Sequence, residues 1–173
     1  MTLRLRAAIL TACLGFSGAA GAQQANPLDV IPDKMPFSTP YGEPISLSRA
    51  QTAIAAAIGE AQNRGWALNV AVFDSGANLV AFSRMDGAQL GSIAISEHKA
   101  RAAVKFRRPT KAFEEGIQKN DNKYLLTLDD IIASRGGIPL IEDGKLIGAI
   151  GCSGGSGSQD EAACMVGAAT INR

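Results

Sequence analysis

The sequence predicts a mixed α/β domain, a mainly antiparallel sheet with helices packed on it. Three observations predict it. Apolar residues recur at helical spacing over 48–64, where Ala50, Ile54, Ala57, Ile58 and Ala61 form one stripe. Two pairs of short apolar runs, 67–73 with 79–84 and 138–142 with 145–152, are each joined by a glycine-containing turn. The elements then alternate as α-β-β-α-(α)-β-β-α, and hairpins interleaved with helices pair antiparallel and bury one face against them.

Each element has a local cause. Ser48 with Gln51 reads as a capping box for the first helix, and Gly65 stops it. In 67–73, Leu68, Val70 and Val72 point one way while Ala71 and Phe73 point the other. Both faces are apolar, so the sheet is expected to be covered on both sides. The turn Asp74-Ser75-Gly76-Ala77-Asn78 closes the first hairpin, and Met85-Asp86-Gly87 ends it. A second helix over 90–106, starting near Ser92, groups Ile95, Lys99, Ala102, Ala103 and Phe106 on one side and His98, Arg101 and Lys105 on another. Pro109 prevents its continuation. Residues 110–118 form a short amphipathic helix with Phe113 and Ile117 one turn apart. The stretch 119–135 is the least defined: Asn120-Asp121-Asn122 is a turn, and 124–128 suits strand or helix.

The last forty residues carry the clearest signals. Asp143-Gly144 between two apolar runs is a hairpin turn whose residues need positive φ. A glycine-rich loop, 151–158, leads to a helix with Ser158 as N-cap and Glu161 three residues on. Gly148 and Gly151 on the strand, and Ala163 and Gly167 on the helix, permit close backbone approach.

The chain has 173 residues, 46% hydrophobic and 19% charged, enough for one domain with a substantial core. Its formal charge of +1 offers no electrostatic reason to expect nucleic acid. Residues 1–22 read as a secretory signal peptide: Arg4 and Arg6 precede an apolar, small-residue run, and Ala20-Gly21-Ala22 fits a cleavage site. The run is too short for a transmembrane span, so a periplasmic or secreted address is expected. Leu10-Thr11-Ala12-Cys13 also fits a lipoprotein box, but only six apolar residues precede it, which favours cleavage after Ala22. Residues 23–45 form an extended proline-rich arm, with prolines at 27, 32, 36, 40 and 44, disordered or laid on a neighbouring subunit. Residues 46–173 are then the single domain. Cys152 and Cys164 remain in the mature chain. Pairing suits an oxidising compartment, but one sits at a strand end and the other inside a helix, which favours two small buried hydrophobes.

The residue types limit the chemistry. His98 is the sole histidine, so a zinc site with several His or Cys ligands is not expected. A Ser-His-Asp triad would need it beside a nucleophile-elbow serine, and none is present. The bland reading of His98 is a polar helix face beside Glu97 and Arg101. A haem iron needs only one proximal histidine. Lys99 shares an apolar stripe, so its ammonium either snorkels along the sheet or points into a cleft with a lowered pKa suited to acid–base or Schiff-base work. Arg101, Lys105, Arg107, Arg108 and Lys111 form a basic run, mostly a solvated face, that also suits carboxylate ligands. The loop with Gly154 and Gly155 lacks the Lys-Ser/Thr ending of a P-loop. Asp160 and Glu161 already complement the helix start, which leaves a pocket wall or subunit contact. Arg84 and Asp86 either line the same pocket or form a buried pair.

Several motifs together resemble a known family. They are Val70-Ala71-Val72-Phe73-Asp74-Ser75-Gly76, Leu79-Val80-Ala81-Phe82, Arg84-Met85-Asp86-Gly87-Ala88 and Lys99-Ala100-Arg101 in the first half. In the second half they are Gly136-Gly137-Ile138-Pro139, Ile147-Gly148-Ala149-Ile150-Gly151 and Ser153-Gly154-Gly155 with Gln159-Asp160-Glu161. Over about 46–169 the chain resembles the GlcG/HbpS family, which includes the C-terminal domain of PduO-type corrinoid adenosyltransferases. The resemblance implies a profilin-like α/β/α sandwich around a five-stranded sheet, homo-oligomers of four or eight chains, and haem binding in some members. Ala102 stands where many members carry Thr, and Cys152 where Val is usual.

The resulting expectation is a periplasmic or secreted oligomeric protein that binds haem or a related tetrapyrrole, with His98 as axial ligand and Lys99 and Arg101 nearby. The alternatives are an enzyme for a small hydroxy- or oxo-acid, using Lys99 and Asp86 with Arg84 on the carboxylate, and an accessory subunit of a periplasmic dehydrogenase.

Overall fold

Helix α1 (Leu47–Asn63) buries its stripe of Ala50, Ala53, Ile54, Ala57 and Ala61. Ser46, in extended backbone, is its N-cap, earlier than the predicted Ser48 box, and no side chain closes the cap. Gly65 ends it with φ +69°. The computed structural model describes residues 30–173. The signal-peptide reading of 1–22, the cleavage site after Ala22 and the box at Cys13 lie outside the described residues. The chain divides into two units, 1–34 and 35–173; in the first, the described residues 30–34 form no helix or strand.

After α1 come β1 (Asn69–Asp74), β2 (Leu79–Arg84), α2 (Gly91–Lys105) and α3 (Lys111–Asn120). A 3-10 helix (Lys123–Thr127), β3 (Gly137–Glu142), β4 (Lys145–Ser153) and α4 (Gly157–Ala169) follow. The sheet runs β2-β1-β4-β3, with every neighbouring pair antiparallel. It has four strands, not the five that the family resemblance implies. The chain ahead of α1 makes a single bridge, Tyr41 to Leu146. There the Gly42 amide donates to the Leu146 carbonyl at 2.8 Å, and the Leu146 amide to the Pro40 carbonyl at 2.8 Å. Pro40 and Pro44 have no N–H for a ladder, so the pairing does not extend into a strand.

Both faces of the sheet are covered, as the alternation in β1 predicts. Val70 and Val72 join α1 and α4 residues in one core. Ala71 and Phe73 join Ala100, Ala103 and Val104 of α2 in a second core on the other face. Helix α2 touches the sheet backbone to backbone. A Cβ on Gly151 would lie 2.1 Å from the Ser96 carbonyl oxygen, and one on Gly137 would lie 2.3 Å from that of Lys99.

Two local expectations are corrected, and one open choice is decided. The capping box of α4 is Ser156 with Gln159, not Ser158 with Glu161. The loop turns back sooner, which puts Asp160 in the first helical turn. Over 124–128, open between strand and helix, the structure is largely helical, a 3-10 helix with Leu125 buried beside Phe113. Cys152 and Cys164 are not two separate buried thiols but a disulfide, Cα–Cα 5.7 Å. Helix α4 packs on β4, and this brings the two Cα atoms into bonding range.

Residues 37–42 lie against the domain's own helices. The Tyr41 hydroxyl donates to the carbonyls of Val104 and Lys105 at 3.1 Å. The Arg108 guanidinium stands 3.5 Å from the Phe37 ring centroid. Arg107 donates to the Thr39 carbonyl at 3.3 Å.

Candidate functional site

Lys99 lies on the sheet-facing side of α2 and is 1% exposed. Its ammonium does not open into a cleft. It donates to Asp160 Oδ2 at 2.8 Å and to the Cys152 carbonyl at 3.2 Å. The side chain passes Gly136, where φ is +117° and an added Cβ would sit 3.1 Å from Nζ and 2.9 Å from the Cys152 oxygen. Lys99 thereby ties α2 to the start of α4.

The glycine-rich loop cradles an anion, and that anion is the chain's own. The Gly155 amide donates to Asp160 Oδ1 at 3.0 Å. Burial pushes the Asp160 carboxyl above its ordinary value, against the pull of Lys99 and of the Gly155 and Gly154 amides. The occupied cradle is the physical reason the loop does not read as a phosphate site.

A second ring of charges surrounds this pair. Glu114 on α3 accepts from the Arg135 backbone N–H and Nε, both at 2.8 Å. Arg135 reaches Glu161 at 3.4 Å, and Lys111 reaches it at 3.3 Å. The hydrogen bond from Arg135 holds the Glu114 carboxyl below the usual range. A carboxyl depressed in the folded state stabilises above its unfolded value of about 4.3 and loses that contribution as pH falls through its folded value. Urea midpoints are therefore expected to fall in wild type below about pH 4.3, and to fall less steeply in Glu114→Gln. Equal slopes would mean that Arg135 does not depress Glu114.

The other side of α2 carries His98, Arg101 and Lys105. His98 is half-buried, and no hydrogen bond engages its ring among the described residues. The Arg101 guanidinium stands 4.9 Å from the Phe73 ring centroid. Lys105 bonds Asp130, which holds that carboxyl below its ordinary value, with weaker help from Arg101 and His98. Asp130 was not legible as a site residue, because it belongs to the stretch with no periodic pattern.

Arg84 and Asp86 lie elsewhere. They line one cleft of about 470 Å³ with Ile58, Gln62, Ser83 and Met85. Both are exposed, so they are not a buried pair. Ile58 and Gln62 belong to α1, so this cleft is on the α1 side of the sheet and His98 is on the α2 side. The predicted residues thus fall into three places: Lys99 with Gly154 and Gly155 around Asp160, His98 with Arg101, and Arg84 with Asp86.

A family model described as "Haem degrading protein HbpS-like" matches residues 45–169. The chain belongs to this HbpS-like family. Protein GlcG of Escherichia coli (strain K12) is 39% identical over 109 residues, 63% of this chain and 81% of that protein. The crystal structure of a double mutant of Streptomyces reticuli HbpS is 27% identical with a TM-score of 0.70, over 83% of this chain and 97% of that one. A crystal structure of a PduOC:haem complex is 27% identical with a TM-score of 0.67, over 75% of this chain and 96% of that one. In the Lys99-Ala100-Arg101 element of α2, Lys99 turns to Asp160 and Arg101 lies half-buried over the Phe73 ring. The family's paired glycines are where α2 meets the sheet. The signal for a partner to Lys99 was its apolar stripe, since a lysine is almost never fully buried unless paired.

Proposed function

We propose that this HbpS-like chain binds haem or a related tetrapyrrole, with His98 as axial ligand. Membership of a family described as haem degrading carries the reading, and the similarity to the PduOC:haem complex supports it. The residues on α2 fit the group. A half-buried imidazole with no hydrogen-bond partner among the described residues is free to ligate iron, and one such ligand suffices. Arg101 lies one turn on, as a cation for a propionate, while Lys105, two turns on, is engaged by Asp130. Lys99, Gly154 and Gly155, expected as ligand contacts, are engaged with Asp160 and take no part in this reading. Bound haem supplies a redox-active iron.

The proposal includes export with cleavage after Ala22 and assembly as a tetramer or octamer. The Cys152–Cys164 disulfide supports export, because such bonds persist in oxidising compartments. Among the described residues no helix is long and apolar enough to cross a membrane.

The test is an absorbance titration of the apo protein with haemin, alongside His98→Ala. Wild type is expected to show a saturable Soret shift, with affinity lower by about tenfold or more in the variant. A saturable shift identical in the variant removes His98 as ligand. No saturable shift in either removes the haem reading.

A further inference from the structure

On α2 the side chains of His98, Arg101 and Lys105 follow one another at helical spacing. A carboxylate from a distant loop already sits on this stripe: Asp130, paired with Lys105. Residues 128–136 form no helix or strand. The loop is pinned by the two residues after Asp130. Ile131 and Ile132 pack against the cluster of Ala102, Phe113 and Leu125, and Ala102 belongs to α2. Asp130 itself has left-handed backbone, φ +65°, a conformation that aspartate adopts more readily than most residues. The packed loop thus holds one carboxylate over the stripe, where Arg101 and His98 add weaker pulls to that of Lys105.

Lys105 is seven residues from His98, roughly 10 Å along the helix. That span is comparable to the reach from the centre of a porphyrin to its propionates. A ligand centred at His98 therefore brings a carboxylate to the place that Asp130 occupies. The pair is well exposed, 42% at Lys105 and 38% at Asp130. Exposed ion pairs are worth little, so a second carboxylate displaces this one at small cost. Arg101 differs, because it forms no ion pair among the described residues. We propose that Asp130 is a resident competitor for Lys105, which a ligand propionate must displace, and that it lowers the affinity of this site for tetrapyrroles with two carboxylates. The inference rests on the haem reading and names the residue that sets how tightly that site holds its ligand.

The experiment is haemin titration of the full chain by absorbance, in wild type, Asp130→Asn, Lys105→Gln and the double variant. Asparagine keeps the size of the side chain and tolerates left-handed backbone, and a cooperative urea transition checks that each variant folds. Asp130→Asn is expected to bind haemin about two- to fivefold tighter, the worth of one exposed ion pair. Lys105→Gln is expected to abolish that gain in the double variant, and to change little in the wild-type background, where Lys105 is engaged. Two controls separate competition from net charge. Asp129→Asn removes a neighbouring exposed carboxylate and is expected to leave the affinity unchanged. Haemin dimethyl ester, which has no free carboxylate, is expected to bind wild type and Asp130→Asn alike. Four results overturn the proposal and leave the haem reading standing: equal haemin affinity in wild type and Asp130→Asn, an equal gain in Asp129→Asn, a gain that survives in the double variant, or an equal gain with the ester. No saturable binding in any of the proteins removes both.

Discussion

Lys99→Met is expected to destabilise the fold by about 3–5 kcal/mol, because it strands a buried carboxylate. Asp160 is 2% exposed and takes its one cationic partner from Lys99. The methionine fills most of the lysine's volume, so the loss reports charge rather than cavity. Adding Asp160→Asn to this background is expected to restore part of the stability. The amide removes the stranded charge and keeps an oxygen for the Gly155 N–H. The single variant also has a pH signature. Burial already pushes the Asp160 carboxyl up with the lysine present, and losing the lysine pushes it further. A carboxyl raised in the folded state favours the protonated form. Its contribution is fully present below the unfolded value of about 3.9 and is lost as pH rises through the folded value. The defect of Lys99→Met is therefore smallest in acid and grows toward neutrality. Urea unfolding at several pH values measures both effects. A loss under about 0.5 kcal/mol at pH 7 would place Lys99 with ordinary surface substitutions and remove the buried pair as a structural tie.

Replacing both cysteines of the Cys152–Cys164 bond with alanine is expected to cost about 3 kcal/mol by loop-closure entropy. The bond closes a loop with a sequence separation of 12. Reduction of the wild type is expected to lower the unfolding midpoint in the same direction. Cys152 also presents the carbonyl that receives Lys99, so the two ties meet at the end of β4. Combining the cysteine replacements with Lys99→Met is then expected to be non-additive, with a coupling on the order of 0.5–3 kcal/mol. Additivity within about 0.3 kcal/mol would show that the disulfide and the ion pair act independently.

The α1, β1–β2, α2, α3 and β3–β4–α4 succession is readable from residue order alone, because periods of 3.6 and 2 and the turn residues at Asp143-Gly144 are local signals. So is the two-sided burial of the sheet, through the alternation of Val70, Ala71, Val72 and Phe73. Residue order also carried the family, through motifs whose glycines seat α2 on the sheet. The number of strands was not legible, since a single bridge at Tyr41 depends on where Leu146 lies. Nor was the disulfide, which needs two Cα atoms within range in space. Lys99 looked unusual on an apolar stripe, but its partner is 61 residues away and is reached only because α2 and the start of α4 come together beside Gly136. Side-chain identity and local pattern travel with the chain. Distance between residues far apart in sequence is set by packing, and packing decided which charges meet, which cysteines pair and which face each candidate occupies.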